Sequence, residues 1–138
     1  MSHNTTVRVA MKDRAHIDAA LREMGLPAVD WDRHAMTGHY RNRTTVDGVL
    51  NIKSAYGQTE PVGFTFDEDT GECEITGDWM CLYGALGDQE VFKNAVARGY
   101  ALAAVRSTYD EYASRGFTVS EHKNSAGETE VVFEKADY

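Results

Sequence analysis

Hydrophobic and polar residues alternate most clearly between positions 62 and 79, where two apolar runs flank an acidic turn. Phe64 and Phe66 fall on one face of the first run, and Ile75 on the second run can meet them. Residues 67–71 between the runs are mainly the aspartate, threonine and glycine types that turns favour. The pattern therefore predicts a β-hairpin, and with it a core built on a sheet.

Two helices are predicted from apolar residues that recur at three- and four-residue spacing. The first covers residues 13–25, with Asp13 as a suitable N-cap and Gly25 as a natural end. The second and longest covers residues 88–115 and contains Gly99, which costs about 1 kcal/mol relative to alanine inside a helix. That cost indicates close packing or a bend at Gly99.

Further alternating runs predict a first strand at residues 5–11, a strand-rich region at 33–75 and a closing hairpin made by 117–121 and 130–133. Residues 79–87 are interpreted as a connection that carries exposed aromatic and apolar side chains. We expect a single domain over residues 1–138 without an internal repeat. The predicted fold class is α+β, with an antiparallel sheet of about six or seven strands and two helices packed on one face.

Composition and charge narrow the classes of partner and compartment. The 138 residues are 42% hydrophobic and 26% charged, as in an ordinary globular domain. The net charge of -8 argues against nucleic acid or an anionic membrane surface as the main partner. Because no apolar run approaches membrane-spanning length and no secretory segment follows Met1, we expect a cytoplasmic protein.

The residues that most often carry chemistry do not form a recognisable catalytic or metal-binding pattern. Asp67, Asp69 and Gly71 resemble the start of a calcium loop, but the glycine comes one place too early, so a turn is favoured. His34 and His39 differ by an odd number on a predicted strand, which places them on opposite faces. We therefore predict no catalytic residue, no metal site and no cofactor.

The two cysteines, Cys73 and Cys81, are too few for a disulfide framework or for a zinc site of their own. Their spacing also differs from that of a redox-active C-x-x-C pair. We expect two free, quiet thiols that are buried or half-buried.

Aromatic residues are more numerous than two helix stripes require, and an apolar segment at residues 79–83 lies among glycines. Tyrosine and tryptophan combine an apolar body with a polar tip and are favoured at interfaces. The candidate ligand- or partner-binding residues are Tyr40, Arg41, Arg43, Trp79 and Tyr83. The leading hypothesis is a non-enzymatic binding or regulatory module whose partner is an unknown protein or a second copy of the chain.

Several short sequence motifs follow one another along the chain. They are Met1-Ser2-His3, Thr5-Thr6, the helix at 13–25, Gly63-Phe64, Asp78-Trp79, the long helix with Tyr100, and Arg115-Gly116-Phe117. In this order the chain resembles the DUF1257 family, which includes Ycf35-like proteins of plastids and cyanobacteria and members in some phages. The resemblance implies a small cytosolic protein and carries over no catalytic residue, cofactor or substrate.

Two alternative functions stay open from the sequence. A small-molecule binding protein or enzyme could hold an anionic ligand through Arg33, Arg41 and Arg43, the main basic cluster of the chain. A phage-encoded factor that acts on a host protein is the further alternative, and it follows from the family resemblance alone.

Overall fold

The computed structural model describes residues 4–37 and 43–135 of the chain, so Tyr40 and Arg41 lie outside the described residues. It has an α+β fold and divides into two compact units, Met1–Tyr100 and Ala101–Tyr138. Helix α3 begins in the first unit and ends in the second. The elements in chain order are β1 (Asn4–Val9), α1 (Arg14–Glu23), β2 (Ala35–Thr37), β3 (Arg43–Thr45), β4 (Gly48–Lys53), β5 (Thr59–Asp67), β6 (Glu72–Asp78), α2 (Trp79–Leu86), α3 (Gln89–Arg106), α4 (Tyr109–Ser114), β7 (Phe117–Lys123) and β8 (Thr129–Lys135).

The largest sheet of the described residues has four antiparallel strands in the order β1-β6-β5-β4. The expectation of a sheet with about six or seven strands is therefore wrong, because β2–β3 and β7–β8 form separate two-stranded ribbons. One physical reason lies at the β4 edge, where the backbone of Asp30 exchanges two hydrogen bonds with Val49 at 2.8 and 3.0 Å. The β2–β3 segment instead places Met36 and Val46 against Val49 in a small buried cluster.

The hairpin predicted from the alternating pattern is confirmed as β5–β6, with Phe64 opposite Ile75. At its tip, the Asp67 carboxylate accepts hydrogen bonds from the backbone N–H groups of Asp69 and Thr70, at 3.0 and 3.3 Å. Gly71 adopts a φ of 72°, which favours glycine. The acidic residues therefore serve the turn itself.

The core of the first unit combines helix and sheet residues in one buried cluster. Phe64, on the central strand β5, is fully buried, and its ring makes an edge contact with Trp31 at 6.0 Å between centroids. Trp31 is held in turn by a 2.9 Å hydrogen bond from its indole nitrogen to Asp18 on α1. Fully buried side chains of the cluster come from α1 (Ile17, Leu21), α2 (Leu82), α3 (Phe92, Val96) and the sheet (Leu50, Val62, Phe64, Ile75). That the helices share one face of the sheet stays a prediction.

Helix α1 begins where its sequence indicates. The Asp13 carboxylate accepts hydrogen bonds from the backbone N–H groups of Ala15 and His16, and Gly25 follows the helix end with a φ of 74°. The hydroxyl oxygen of Tyr100 on α3 accepts from the backbone N–H of Asp13 at 3.0 Å. Residue Gly99 beside it lies so close to α1 that an added Cβ would stand 2.7 Å from the Cβ of Ala20.

Two helix expectations need correction. Residues 79–87 are not a connection, because residues 79–86 form α2, which ends before Gly87 with a φ of 75°. The long helix expected at 88–115 is interrupted between α3 and α4. There the hydroxyl groups of Ser107 and Thr108 donate to the carbonyls of Ala104 and Val105, at 2.6 and 2.7 Å. Such local side-chain hydrogen bonds compete with the regular helix ladder.

The second unit joins α4 to the β7–β8 ribbon through aromatic contacts and one ionic network. The ring centroids of Tyr112 and Phe133 lie 4.6 Å apart, and those of Tyr112 and Phe117 lie 5.5 Å apart. Glu121 on β7 accepts two hydrogen bonds from the Arg106 guanidinium, at 2.8 and 3.1 Å, and one from the Tyr109 hydroxyl at 2.7 Å. These donors lower the pKa of Glu121 from 4.5 to about 2.

The Glu121 network predicts a specific dependence of stability on pH. Because the folded-state pKa is depressed, the contribution of Glu121 is fully present above pH 4.5 and is lost as the pH falls towards about 2. The network is partly exposed, so its contribution should be at most about 1 kcal/mol. We expect a Glu121→Gln variant to be less stable than the wild type at pH 7, with a difference that shrinks through this window.

Denaturant unfolding of both proteins at several pH values measures this difference, with the far-ultraviolet circular dichroism as readout. Glu134→Gln is the matched control, since Glu134 is an exposed glutamate on the same ribbon. A wild-type advantage over Glu121→Gln that stayed constant down to the lowest pH would contradict the assigned role of the carboxylate.

Two hairpin connections of the chain share a sequence pattern and a geometry, although no internal repeat was expected. The β4–β5 turn contains Gly57 and the β7–β8 turn contains Gly127, with φ values of 79° and 80°. In each turn, the backbone N–H of the glycine donates to the carbonyl three residues earlier at 3.0 Å. The shared residues are Lys53, Gly57, Thr59 and Glu60 in the first case and Lys123, Gly127, Thr129 and Glu130 in the second.

Candidate binding surface

Helix α2 differs from the rest of the chain in its lack of charge. Residues 79–87 are the longest stretch of the sequence without Lys, Arg, Asp or Glu, and Asp78 and Asp88 flank it. These two aspartates also mark its structural limits, since α2 begins after Asp78 and Asp88 accepts a hydrogen bond from the Val91 N–H at 2.8 Å at the start of α3. Helix α2 thus differs from the rest of this acidic chain, whose net charge is -8.

One side of α2 anchors the helix to the core. Leu82 is fully buried, and the Trp79 ring packs on Phe92 with centroids 5.8 Å apart. Gly77, just before the helix, leaves room for both, because an added Cβ would lie 2.6 Å from the Trp79 ring and 2.7 Å from Leu82. These contacts fix the orientation of α2 and therefore decide which of its side chains face outward.

The other side of α2 exposes large apolar side chains. Met80 is 66% exposed and Tyr83 is 63% exposed, three positions apart on the helix. Beside them, an added Cβ at Gly84 would lie 2.9 Å from Ala55, in the turn that carries Tyr56, which is 85% exposed. Together Tyr56, Met80, Tyr83, Gly84 and Ala85 are called the α2 surface.

Cys81 lies on the same helix, next to two buried carboxylates. Glu60 and Asp78 are each 5% exposed, and both are in hydrogen-bonding reach of the Cys81 thiol. Burial raises the pKa of Cys81, and the charges and hydrogen bonds of Asp78 and Glu60 raise it further. A thiol in this setting stays protonated at neutral pH, which is the opposite of what a cysteine nucleophile needs.

The second cysteine, Cys73, also has a thiol that stays protonated at neutral pH. Cys73 is a free thiol buried on β6, and burial raises its pKa to about 12. The expectation of two free thiols that are buried or half-buried is confirmed, since Cys73 is buried and Cys81 is half-buried.

The five residues predicted to bind a ligand or partner occupy different places. Trp79 and Tyr83 both lie on α2, but Trp79 is turned partly into the core and only Tyr83 is well exposed. Arg43 is exposed on β3, opposite Thr37 in the register of the ribbon. Tyr40 and Arg41 fall in the segment 38–42, outside the described residues.

The register also bears on the hypothesis of an anionic ligand. Arg33 precedes β2 by two residues, whereas Arg43 pairs with the last residue of β2. Arg33 therefore lies before the start of the ribbon and Arg43 at the other end of β2. This spacing along the chain does not decide whether the two side chains meet at one anion, and the hypothesis of an anionic ligand stays a prediction.

The residues predicted to bind do not include Met80 or Tyr56, although Met80 belongs to the apolar segment 79–83 identified from the sequence. The available signal for Met80 was its three-residue spacing from Tyr83, which would place both side chains on one helix face if the segment were read as a helix. Tyr56 gave no such signal, because its nearness to α2 depends on the contact between Ala55 and Gly84.

No family model, curated protein or solved structure matches this chain. The resemblance to the DUF1257 family thus stays a prediction. Within residues 4–37 and 43–135, no helix has both the length and the apolar character needed to cross a membrane. In the same part of the chain, no three His, Cys, Asp or Glu side chains are arranged to hold a metal ion.

Proposed function

We propose that this protein is a non-enzymatic binding module that acts through protein–protein contacts made by the α2 surface. One observation carries the proposal. Of the four most exposed large hydrophobic side chains among the described residues, Met80 and Tyr83 lie on α2 and Tyr56 lies on the turn that contacts it. The fourth, Val91, lies in the first turn of the next helix, α3.

The chemistry of these side chains suits a protein partner. Tyrosine and methionine are enriched in protein interfaces, whereas charged residues are depleted at interface cores. Tyrosine supplies a large contact area, and methionine adapts its shape to different partners. An exposed group of such residues on a rigid helix has the properties of an interaction hot spot.

The rigidity of α2 also supports the proposal. Leu82 and Trp79 hold the helix against the core, so Met80 and Tyr83 are presented in a fixed orientation. A binding surface that is already ordered loses less conformational entropy on association. The protonated thiol of Cys81 beneath the surface is suited to packing and not to nucleophilic chemistry.

The test compares proteins captured from a lysate of the source cells by the tagged wild type and by two variants. Met80→Lys combined with Tyr83→Lys should lose the specific partners, because two lysines desolvate poorly at an interface core. Val91→Lys is the control, since Val91 is 56% exposed and lies outside the α2 surface. For each purified partner, the double variant should weaken the dissociation constant by about tenfold or more.

The circular dichroism spectrum and melting temperature of each variant establish that it is folded. A folded double variant that retained every partner with wild-type affinity would refute the proposal. Equal loss of partners with Val91→Lys would also refute it, because the effect would then be one of charge and not of the α2 surface.

A further inference from the structure

We infer that the partner of the α2 surface is a basic protein segment, whose apolar side chains are flanked by lysine and arginine. This inference rests on the proposed function, because it uses the same surface. It goes further by stating the chemistry of the partner.

The negative charge of the chain is concentrated in one segment. Residues 54–92 contain nine of the 22 Asp and Glu residues and none of the 14 Lys and Arg residues. The remaining 13 acidic residues of the chain are balanced by those 14 basic ones. The net charge of -8 therefore comes from residues 54–92, which comprise the turn with Tyr56, β5, β6, α2 and the start of α3.

The exposed apolar side chains lie in this same acidic segment. All four large hydrophobic side chains with high exposure among the described residues fall within residues 54–92, namely Tyr56, Met80, Tyr83 and Val91. An apolar surface in a negative field is complementary to a partner that is both apolar and positive. A neutral partner would use only the first property, and an acidic partner would be repelled by the second.

Carboxylates lie at both ends of α2. Asp78 precedes the helix, Asp88 follows it, and the last turn of α2 contains no basic residue. The negative end of the helix dipole, at the C-terminus of α2, also favours a nearby cation. Asp88 is exposed and accepts a hydrogen bond from the Val91 N–H at 2.8 Å. Since a carboxylate can accept several hydrogen bonds, Asp88 can also receive a lysine or arginine of the partner.

The exposed rings provide a second means of binding cations. The side chains of Tyr56 and Tyr83 are both strongly exposed. The face of a tyrosine ring attracts the ammonium group of lysine and the guanidinium group of arginine. The methylene groups of these long side chains can cover apolar surface at the same time. Basic residues of the partner therefore fit the α2 surface itself as well as its ends.

Ion pairs with other parts of the chain offset only a part of this charge. Arg8 pairs with Glu74 at 2.9 Å, and Lys93 pairs with Glu90 at 2.7 Å. With both cations included, the acidic residues of the segment still outnumber the basic ones.

Three synthetic peptides of equal length test the chemistry of the partner by calorimetric titration of the purified full chain. One consists of leucine and lysine, one of leucine and glutamate, and one of serine and lysine. We expect the leucine–lysine peptide to bind about tenfold or more tightly than either of the others. Raising sodium chloride from about 0.05 M to about 0.5 M should weaken this binding, because salt screens the attraction.

Substitutions at Gln58 test the sign of the charge effect. Gln58 is exposed in the turn that carries Tyr56, and the matching position of the β7–β8 turn is Glu128, so this turn geometry accepts glutamate. Gln58→Glu should tighten the binding of the leucine–lysine peptide by about two- to fivefold at low salt. Gln58→Lys should weaken it by a similar factor, whereas a purely apolar contact would not respond to the sign.

Asp88→Asn removes a charge beside α2 and keeps a side chain that can cap α3. It should weaken the binding of the leucine–lysine peptide by about two- to fivefold at low salt. Asp13→Asn is the matched control, because Asp13 caps α1 and its backbone contacts Tyr100. Tyr100 lies about 18 Å from Asp88 along the axis of α3. The control should therefore bind the peptide as the wild type does, and circular dichroism establishes that each variant is folded.

Equal affinity for the leucine–lysine and leucine–glutamate peptides would overturn the inference, as would no binding of the leucine–lysine peptide at millimolar concentration. Equal affinity for the serine–lysine peptide would also overturn it, because the attraction would then not involve the apolar surface. The same holds if neither Gln58 variant nor Asp88→Asn changed the affinity.

These failures are distinguishable from failure of the proposed function. If any of them occurred while the Met80→Lys, Tyr83→Lys variant still lost its partners from the lysate, the proposed function would stand and the partner would have a different chemistry. If that variant kept its partners and also bound the leucine–lysine peptide as the wild type does, both proposals would fail.

Discussion

Replacing Phe64 with alanine is expected to lower the free energy of unfolding of the first unit by about 3–5 kcal/mol. Phe64 is fully buried on β5, between β4 and β6, and its ring contacts Trp31. Alanine removes the transfer free energy of the ring and leaves a cavity that the close-packed surroundings fill only in part.

Urea unfolding followed by tryptophan fluorescence measures this change, because both tryptophans, Trp31 and Trp79, lie in the first unit. Tyr56→Ala is the control, since its side chain is 85% exposed and its removal should change stability by about 0.5 kcal/mol or less. A loss below about 1 kcal/mol for Phe64→Ala would be incompatible with the observed packing.

The second large effect is expected at Gly99, where alanine should destabilise the protein although it is the better helix former. In an exposed helix, Gly→Ala raises stability by about 1 kcal/mol. At Gly99 the added Cβ would lie 2.7 Å from the Cβ of Ala20 and 3.0 Å from its Cα. The backbone of α1 cannot move aside cheaply, so we expect a net loss of about 1–3 kcal/mol.

A double-mutant cycle with Ala20→Gly separates the close contact from helix propensity. Ala20→Gly alone should cost about 1 kcal/mol as a glycine inside a helix. It also removes one of the two atoms that an alanine at position 99 would meet, so the double variant should be more stable than the sum of the single changes predicts. Additive effects, or a stabilising Gly99→Ala, would show that the helices are not in close contact at this point.

The elements that sequence reasoning predicted correctly are those specified by local chemistry. Asp13 caps α1 through its own carboxylate, and residues 67–71 close a turn through Asp67 and Gly71. Each requires only a few neighbouring residues, whose identities are visible in the sequence. The closing hairpin was predicted for the same reason, with Gly127 at its tip.

The errors concern features that depend on distant contacts or on competing local hydrogen bonds. Whether a strand joins a sheet depends on which edge is free, and the backbone of Asp30 occupies the β4 edge at Val49. The break after α3 reflects the hydroxyl groups of Ser107 and Thr108, which a periodicity of apolar residues does not register. Gly84 and Gly87 favour a connection at residues 79–87 in the sequence, although only Gly87 ends the helix.

The candidate surface was predictable in part. The apolar character of residues 79–83 identified Tyr83 correctly as an exposed side chain, since that property is local. The division of α2 into a buried and an exposed side depends on Gly77 and Phe92, which no pattern within the helix reveals. Trp79 was therefore grouped with Tyr83, although it lies partly in the core.

The position of β1 in the sheet constrains the order in which the chain can assemble. Strand β1 pairs with β6, and the Thr6 and Thr76 hydroxyl groups that join them at 2.8 Å are separated by 70 positions. During synthesis β1 thus cannot pair with β6 until the six elements from α1 to β6 have left the ribosome. The short β5–β6 hairpin closes locally, so it presents a ready edge onto which β1 can dock last. In any fragment that ends before β6, strand β1 lacks its partner and has unpaired edges. We expect such a fragment to aggregate and not to form a smaller version of the fold.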